Sequence, residues 1–213
     1  MKSFRVGLCL VTMLGMATVA QNQEQRPQGG LGAQAGGEQR APVIPRVPRD
    51  RIEVIQANAY WRMGDQEDRW FDDGDFPRAI QLLRLHWDMF PMDYDVATNL
   101  GWLLESTEQA SEAVIIYKRF LELNPNDPDG ALPLAQYYML KSREYDKIPP
   151  LLEPAIKMTP PPHSNVFRIL ANAYDRTGKF EDSLRVWEAL LKVDPSDETA
   201  KRNRDRVKAK IGG

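Results

Sequence analysis

This 213-residue chain has only two histidines and a single cysteine, which leaves little for zinc ligation or cysteine–histidine chemistry. His86 stands beside Trp87 and His163 follows a run of prolines. No motif joins them, so each reads as a satisfied or solvent-facing imidazole. Cys9 sits in an apolar N-terminal stretch. The sequence contains no glycine-framed serine, no phosphate-cradling glycine loop and no histidine pair at metal spacing. One run invites a cation. Asp65-Gln66-Glu67-Asp68-Arg69-Trp70-Phe71-Asp72-Asp73-Gly74-Asp75 carries six carboxylates, but it lacks the alternating oxygen ligands and distal glutamate of a calcium loop. A solvated acidic loop is the expectation. Its adjacent aromatics, Trp70 and Phe71, either tuck beneath neighbouring helices or wait for a partner. The chemistry expected is recognition without catalysis, with no cofactor and no metal.

Composition narrows the partner. The formal charge is -2, from 28 basic and 30 acidic side chains, so no overall basic field draws the chain to nucleic acid. Residues 1–20 hold Lys2 and Arg5, an apolar run from Val6 to Met16, and the small-residue ending Thr18-Val19-Ala20. That order is the pattern of a secretory signal peptide, and the run is short for a membrane span. An exported protein, periplasmic or secreted, is expected, touching a membrane only if the segment stays uncleaved. A mature chain without cysteine suits an oxidising compartment. Residues 21–49 follow as a Gln/Gly/Pro-rich linker with almost nothing to bury.

The remaining chain repeats itself. Pro91, Pro125, Pro160 and Pro195 recur at a period of about 34 residues, each after an apolar-periodic segment. Leu100-Gly101, Leu104, Ala113, Tyr117 and Phe120-Leu121 find counterparts in Leu170-Ala171, Tyr174, Ser183, Trp187 and Leu190-Leu191. Small residues at Gly101, Ala113, Ala135, Ala171 and Ser183 let paired helices approach, and Tyr117, Tyr138, Tyr174 and Trp187 fill the space beside them. Neither helix of such a pair buries its apolar face alone, so neighbours must stack.

This pattern resembles the tetratricopeptide repeat. The resemblance implies an all-α, right-handed superhelix over residues 50–211, with repeats at about 50–91, 92–125, 126–160 and 161–195 and a capping helix at 197–211. The first repeat is expected to carry the acidic run as an inserted loop, 65–75, because Ile55 to Gly64 aligns with Ile169 to Gly178. The third has Pro149, Pro150 and Pro154 where its second helix should run, so a late start and a kink are expected. Ser164 is the expected cap of the helix after the Pro160-Pro161-Pro162 link.

In that family the first helix of each repeat lines a concave groove that binds protein or peptide. Carried over by position, the groove would present Arg51, Asn58, Trp61 and Arg62, then Asp95, Thr98, Trp102 and Glu105, then Gln136 and Met139, and finally Arg168, Asn172, Asp175 and Arg176. Trp70 and Phe71 would add a partner-facing loop. Aromatic area flanked by amides and charges suits an extended peptide. A structural protein that self-associates through its acidic first unit and basic last helix is the alternative: residues 51–95 hold ten carboxylates against five arginines.

Overall fold

In the computed structural model, residues 50–212 are described, and every regular element among them is helical. The expected signal segment, 1–20, and linker, 21–49, lie outside the described residues. The elements are α1 (Arg51–Asp72), α2 (Phe76–Met89), α3 (Tyr94–Ser106), α4 (Ala110–Leu123), α5 (Leu132–Tyr137), α6 (Ile148–Ala155), α7 (Ser164–Arg176), α8 (Phe180–Val193) and α9 (Glu198–Ile211). Consecutive helices pack as hairpins, and each second helix also packs on the first helix of the next unit, through to α8 on α9. This is the helical-repeat superhelix that the spacing implies.

Each hairpin turns through one left-handed residue: Gly74 (φ 75°), Glu108 (63°), Arg143 (58°) and Gly178 (74°). Only the two glycines accept that conformation without a steric cost. Aspartates open several helices. The Asp50 carboxylate accepts from the amides of Ile52 and Glu53 at 2.8 and 2.9 Å, and the Asp197 carboxylate accepts from Thr199 and Ala200, both at 2.9 Å. Ahead of α7 the cap is His163 and not Ser164. The His163 amide donates to Asp129 Oδ1 at 2.6 Å, and its Nδ1 accepts from the Asn165 amide at 3.1 Å. That anchor leaves Ser164 as the first helical residue.

Small residues sit at the interhelical crossings. Gly101 lies against the Tyr117 ring, and Ser183 Oγ donates to the Ala171 carbonyl at 2.8 Å. Around them Leu83, Leu100, Leu104, Phe120, Phe167, Leu170, Trp187 and Leu190 form one fully buried seam along the array.

Two units depart from the pattern. Between Ala135 and Tyr145 the chain has one more residue than between Gly101 and Ala110 or between Ala171 and Phe180. The surplus is absorbed by a π-helical turn, Tyr138–Ser142, that continues α5. A 3-10 turn, Tyr145–Lys147, then delays α6, whose first turn holds Pro149 and Pro150. The late start follows expectation, but α6 ends one residue after Pro154 instead of kinking and running on.

The first unit corrects the expected inserted loop at 65–75. Residues 65–72 contain no helix breaker, and α1 runs unbroken to Asp72, leaving only 73–75 as the turn. Gly64 is helical and does not take positive φ, so it does not turn the chain. The turn glycine is Gly74, two residues before Phe76, as Gly178 is before Phe180. In that register Tyr60–Asp72 matches Ser164–Arg176, and residues 51–59 project as an extra stretch of helix. Ile52, Val54 and Ile55 are all exposed on it.

Candidate protein-binding face

The first helices of the units carry the face on which ligands were expected, and the corrected register of α1 changes its composition. Counting back from the turn, Trp61, Gly64, Asp68 and Phe71 hold the positions that Asp95, Thr98, Trp102 and Glu105 hold in α3. Phe71 therefore belongs to this face and not to a loop. Its ring lies 5.7 Å from that of Trp102 at 45° and 5.5 Å from that of Phe76. Trp70 is likewise helical and partly buried against the core. The two aromatics thus tuck into the array, and Phe71 joins the first unit to the second. Sequence reasoning missed Asp68 here. The Gly74-x-Phe76 spacing, matched to Gly178-x-Phe180, was the signal that locates it.

Trp61 stays open, 57% exposed, with its ring edge-on to Tyr60 at 5.2 Å. Tyr60 ties this end to the cap of α3: its hydroxyl donates to Asp93 Oδ2 at 3.0 Å. Burial, reinforced by the Asp93 charge, pushes the phenol well above its ordinary range. Arg51 and Asn58 lie on the projecting stretch, out of register with the other units, and the Asn58 amide is turned back onto the Val54 carbonyl at 2.8 Å. Arg62 is exposed.

Several expected groove residues are committed to the fold. Thr98 is buried, and its hydroxyl donates to the Tyr94 carbonyl at 2.9 Å, so it is not a ligand contact. Glu105 is partly buried and accepts the Tyr117 hydroxyl at 2.8 Å. Burial raises the Glu105 carboxyl, against the opposing pull of Tyr117 and Lys141. Asp95, Trp102, Gln136 and Met139 are partly exposed.

In the fourth unit α9 takes up the polar groups. Arg168 reaches Asp197 Oδ2 at 2.7 Å, and Asp175 receives Arg206 at 2.8 Å and Lys210 at 2.6 Å. Burial works to raise the Asp175 carboxyl, but the bonds from Lys210 and Arg206 outweigh it and hold the group below its ordinary value. The side chains of Asn172 and Arg176 remain without a hydrogen bond among the described residues. The open part of the face therefore runs from Trp61 through Phe71 and Trp102 to Met139.

Behind this face lies a buried ionisable pair. His86 Nδ1 is 2.9 Å from Glu67 Oε1 and 3.1 Å from Oε2, and both residues are 2% exposed. Tyr60 and Phe90 enclose the imidazole edge-on at 4.9 and 5.5 Å. Glu67 stands where other units place Gly101 or Ala171, and His86 where they place Phe120 or Leu190. Among the described residues His86 Nε2 is buried without a hydrogen-bond partner, and the pair ties α1 to α2.

Elsewhere, a cavity of about 510 Å³ opens between α4, α5 and α6, floored by Leu121, Leu134, Tyr138 and Leu151 and rimmed by Lys118 and Lys147. Among the described residues no cluster of His, Cys, Asp and Glu could hold a metal ion, and no helix is long and apolar enough to cross a membrane.

Comparison with known proteins agrees with this geometry. The tetratricopeptide repeat model matches residues 71–128 and 170–204, which leaves out most of α1. No curated protein matches the sequence. Among solved structures, a mutant of MamA superposes with a TM-score of 0.54 at 23% identity, covering 72% of this chain and 84% of its own. MamA from Desulfovibrio magneticus RS-1 gives 0.56 at 18% identity, with 72% and 86% covered. A Pseudomonas aeruginosa pilF structure gives 0.60 at 15% identity, with 73% and 70% covered. At these identities the likeness is one of fold.

Proposed function

We propose that this chain, built of tetratricopeptide repeats, is an exported, non-catalytic scaffold that binds an extended segment of a protein on the face of its first helices. The reading is carried by the Phe71–Trp102 contact, which sets two rings from adjacent units side by side on that face. Rings at a unit junction offer area for apolar side chains, and the neighbouring carboxylates and amides meet the polar groups of a bound backbone. The stacked helices are already ordered, so little ordering cost falls on the scaffold. Export rests on the basic start, apolar run and small-residue ending of residues 1–20.

The alternative, head-to-tail assembly through a basic last helix, loses support from α9: Arg206 and Lys210 are both engaged by Asp175 of the same chain. Photocrosslinking from position 102 in the native envelope tests the proposal. Capture of one protein from position 102, and not from outward positions on α4 or α8, is the expected result. Capture only from the outward positions sinks it.

A further inference from the structure

The face described above is acidic and aromatic at its N-terminal end, and the chain carries a segment of the opposite character just upstream. Residues 40–49, Arg-Ala-Pro-Val-Ile-Pro-Arg-Val-Pro-Arg, hold Arg40, Arg46 and Arg49 and no acid, with Val43, Ile44 and Val47 between the prolines. They end directly at Asp50, the cap of α1. We propose that this segment is an intramolecular occupant of the face, lying antiparallel to α1 over Trp61 and toward Phe71 and Trp102. The proposal rests on the reading that this face binds extended peptide.

Two observations carry it. Charge is complementary: residues 51–95 hold ten carboxylates against five arginines, and Asp68 and Asp95 belong to the face itself. Guanidinium groups suit such a surface because they stack on rings while bonding carboxylates. Length also fits. Fully extended, eight residues such as 40–47 could span about 25 Å at about 3.1 Å per residue, and α1 rises about 27 Å from Asp50 to Asp68 at about 1.5 Å per residue. A tethered segment acts at an effective concentration in about the millimolar range. It therefore holds the face until a tighter partner displaces it, and such a partner shares its chemistry: cationic, proline-interrupted and extended.

The test uses the full chain with Cys9→Ser and Ile44→Cys, carrying a nitroxide at position 44. The indole N–H resonances of Trp61 and Trp102 are expected to lose most of their intensity, and to regain it when Arg40, Arg46 and Arg49 are replaced by serine. Broadening confined to residues 51–59 overturns the proposal. So does broadening seen only in mixtures of labelled and isotopically enriched molecules, which places the segment on a second copy. A synthetic peptide of sequence 40–49 separates the two claims. If it shifts the indole signals while the tethered label does not broaden them, self-occupancy is wrong and the binding face stands. If neither the label nor the peptide acts, both readings fall.

Discussion

The ring of Tyr117 lies so close to the α-carbon of Gly101 that a β-carbon built there would stand 2.1 Å from Cε1. The same phenol is fixed at its far end, where it donates to Glu105 at 2.8 Å. Burial, with the Glu105 charge behind it, pushes its pKa well above the ordinary tyrosine value. One contact therefore sets both the crossing of α3 on α4 and the position of a carboxylate on the face of the first helices.

Gly101→Ala should destabilise the protein despite improving helix propensity. Overpacking costs about 1–3 kcal/mol and the propensity gain returns about 1. Gly64→Ala is the control: it is also helical but meets nothing within 4 Å, so it should gain about 1 kcal/mol. Urea denaturation of the two variants reads the difference, and equal effects would refute the close crossing.

Breaking the Glu67–His86 pair on one side should be severe, because the remaining polar group is left buried. Glu67→Ala is expected to cost about 2–4 kcal/mol. The double change Glu67→Ala/His86→Leu copies the Ala171 and Leu190 arrangement of the fourth unit. It should recover most of the loss, since an apolar pair of suitable volume replaces an ionisable one. A double-mutant cycle followed by circular dichroism would show a large coupling energy, and simple additivity would deny the contact.

At the hairpin turns, Glu108→Gly and Arg143→Gly should each raise stability by about 0.5–1 kcal/mol, because φ values of 63° and 58° strain a side-chain-bearing residue. Gly178→Ala, at φ 74°, should lower it by about 1 kcal/mol. Thermal melts give the order directly.

The docking of α9 should weaken in acid. Burial acts to raise the Asp197 carboxyl, yet the Ala200 amide and Arg168 prevail and hold it below its ordinary value, as Lys210 and Arg206 do for Asp175. A carboxyl that titrates lower in the folded state contributes stability fully above its unfolded value of about 3.9. That contribution is lost as pH falls through the folded value. The cations of Asp175 are 44% and 39% exposed, so its share is only about 0.5–1 kcal/mol. Amide-exchange protection factors along α9, taken relative to the intrinsic rate at each pH, should fall below about pH 4, and Asp175→Asn should flatten that dependence.

What the sequence determined by itself was the helical repeat. Proline period, small residues at Gly101, Ala135 and Ala171, and aromatics beside them follow from the need to stack amphipathic hairpins, and such constraints are local and periodic. The π-helical turn was also within reach, since one surplus residue before Tyr145 must go somewhere. Tertiary structure decided the rest. Whether 65–72 leaves α1 as a loop or extends it depends on which glycine takes positive φ, and of Gly64 and Gly74 only Gly74 does, although a side chain would meet nothing within 4 Å at either. Likewise, Arg168, Asp175 and Thr98 carry types suited to a ligand, yet their bonds go to Asp197, to Arg206 and Lys210, and to the Tyr94 carbonyl. A polar side chain binds whichever partner folding brings within about 3 Å. That choice is made by the packing of helices far apart in the chain, and no spacing of residues along the chain records it.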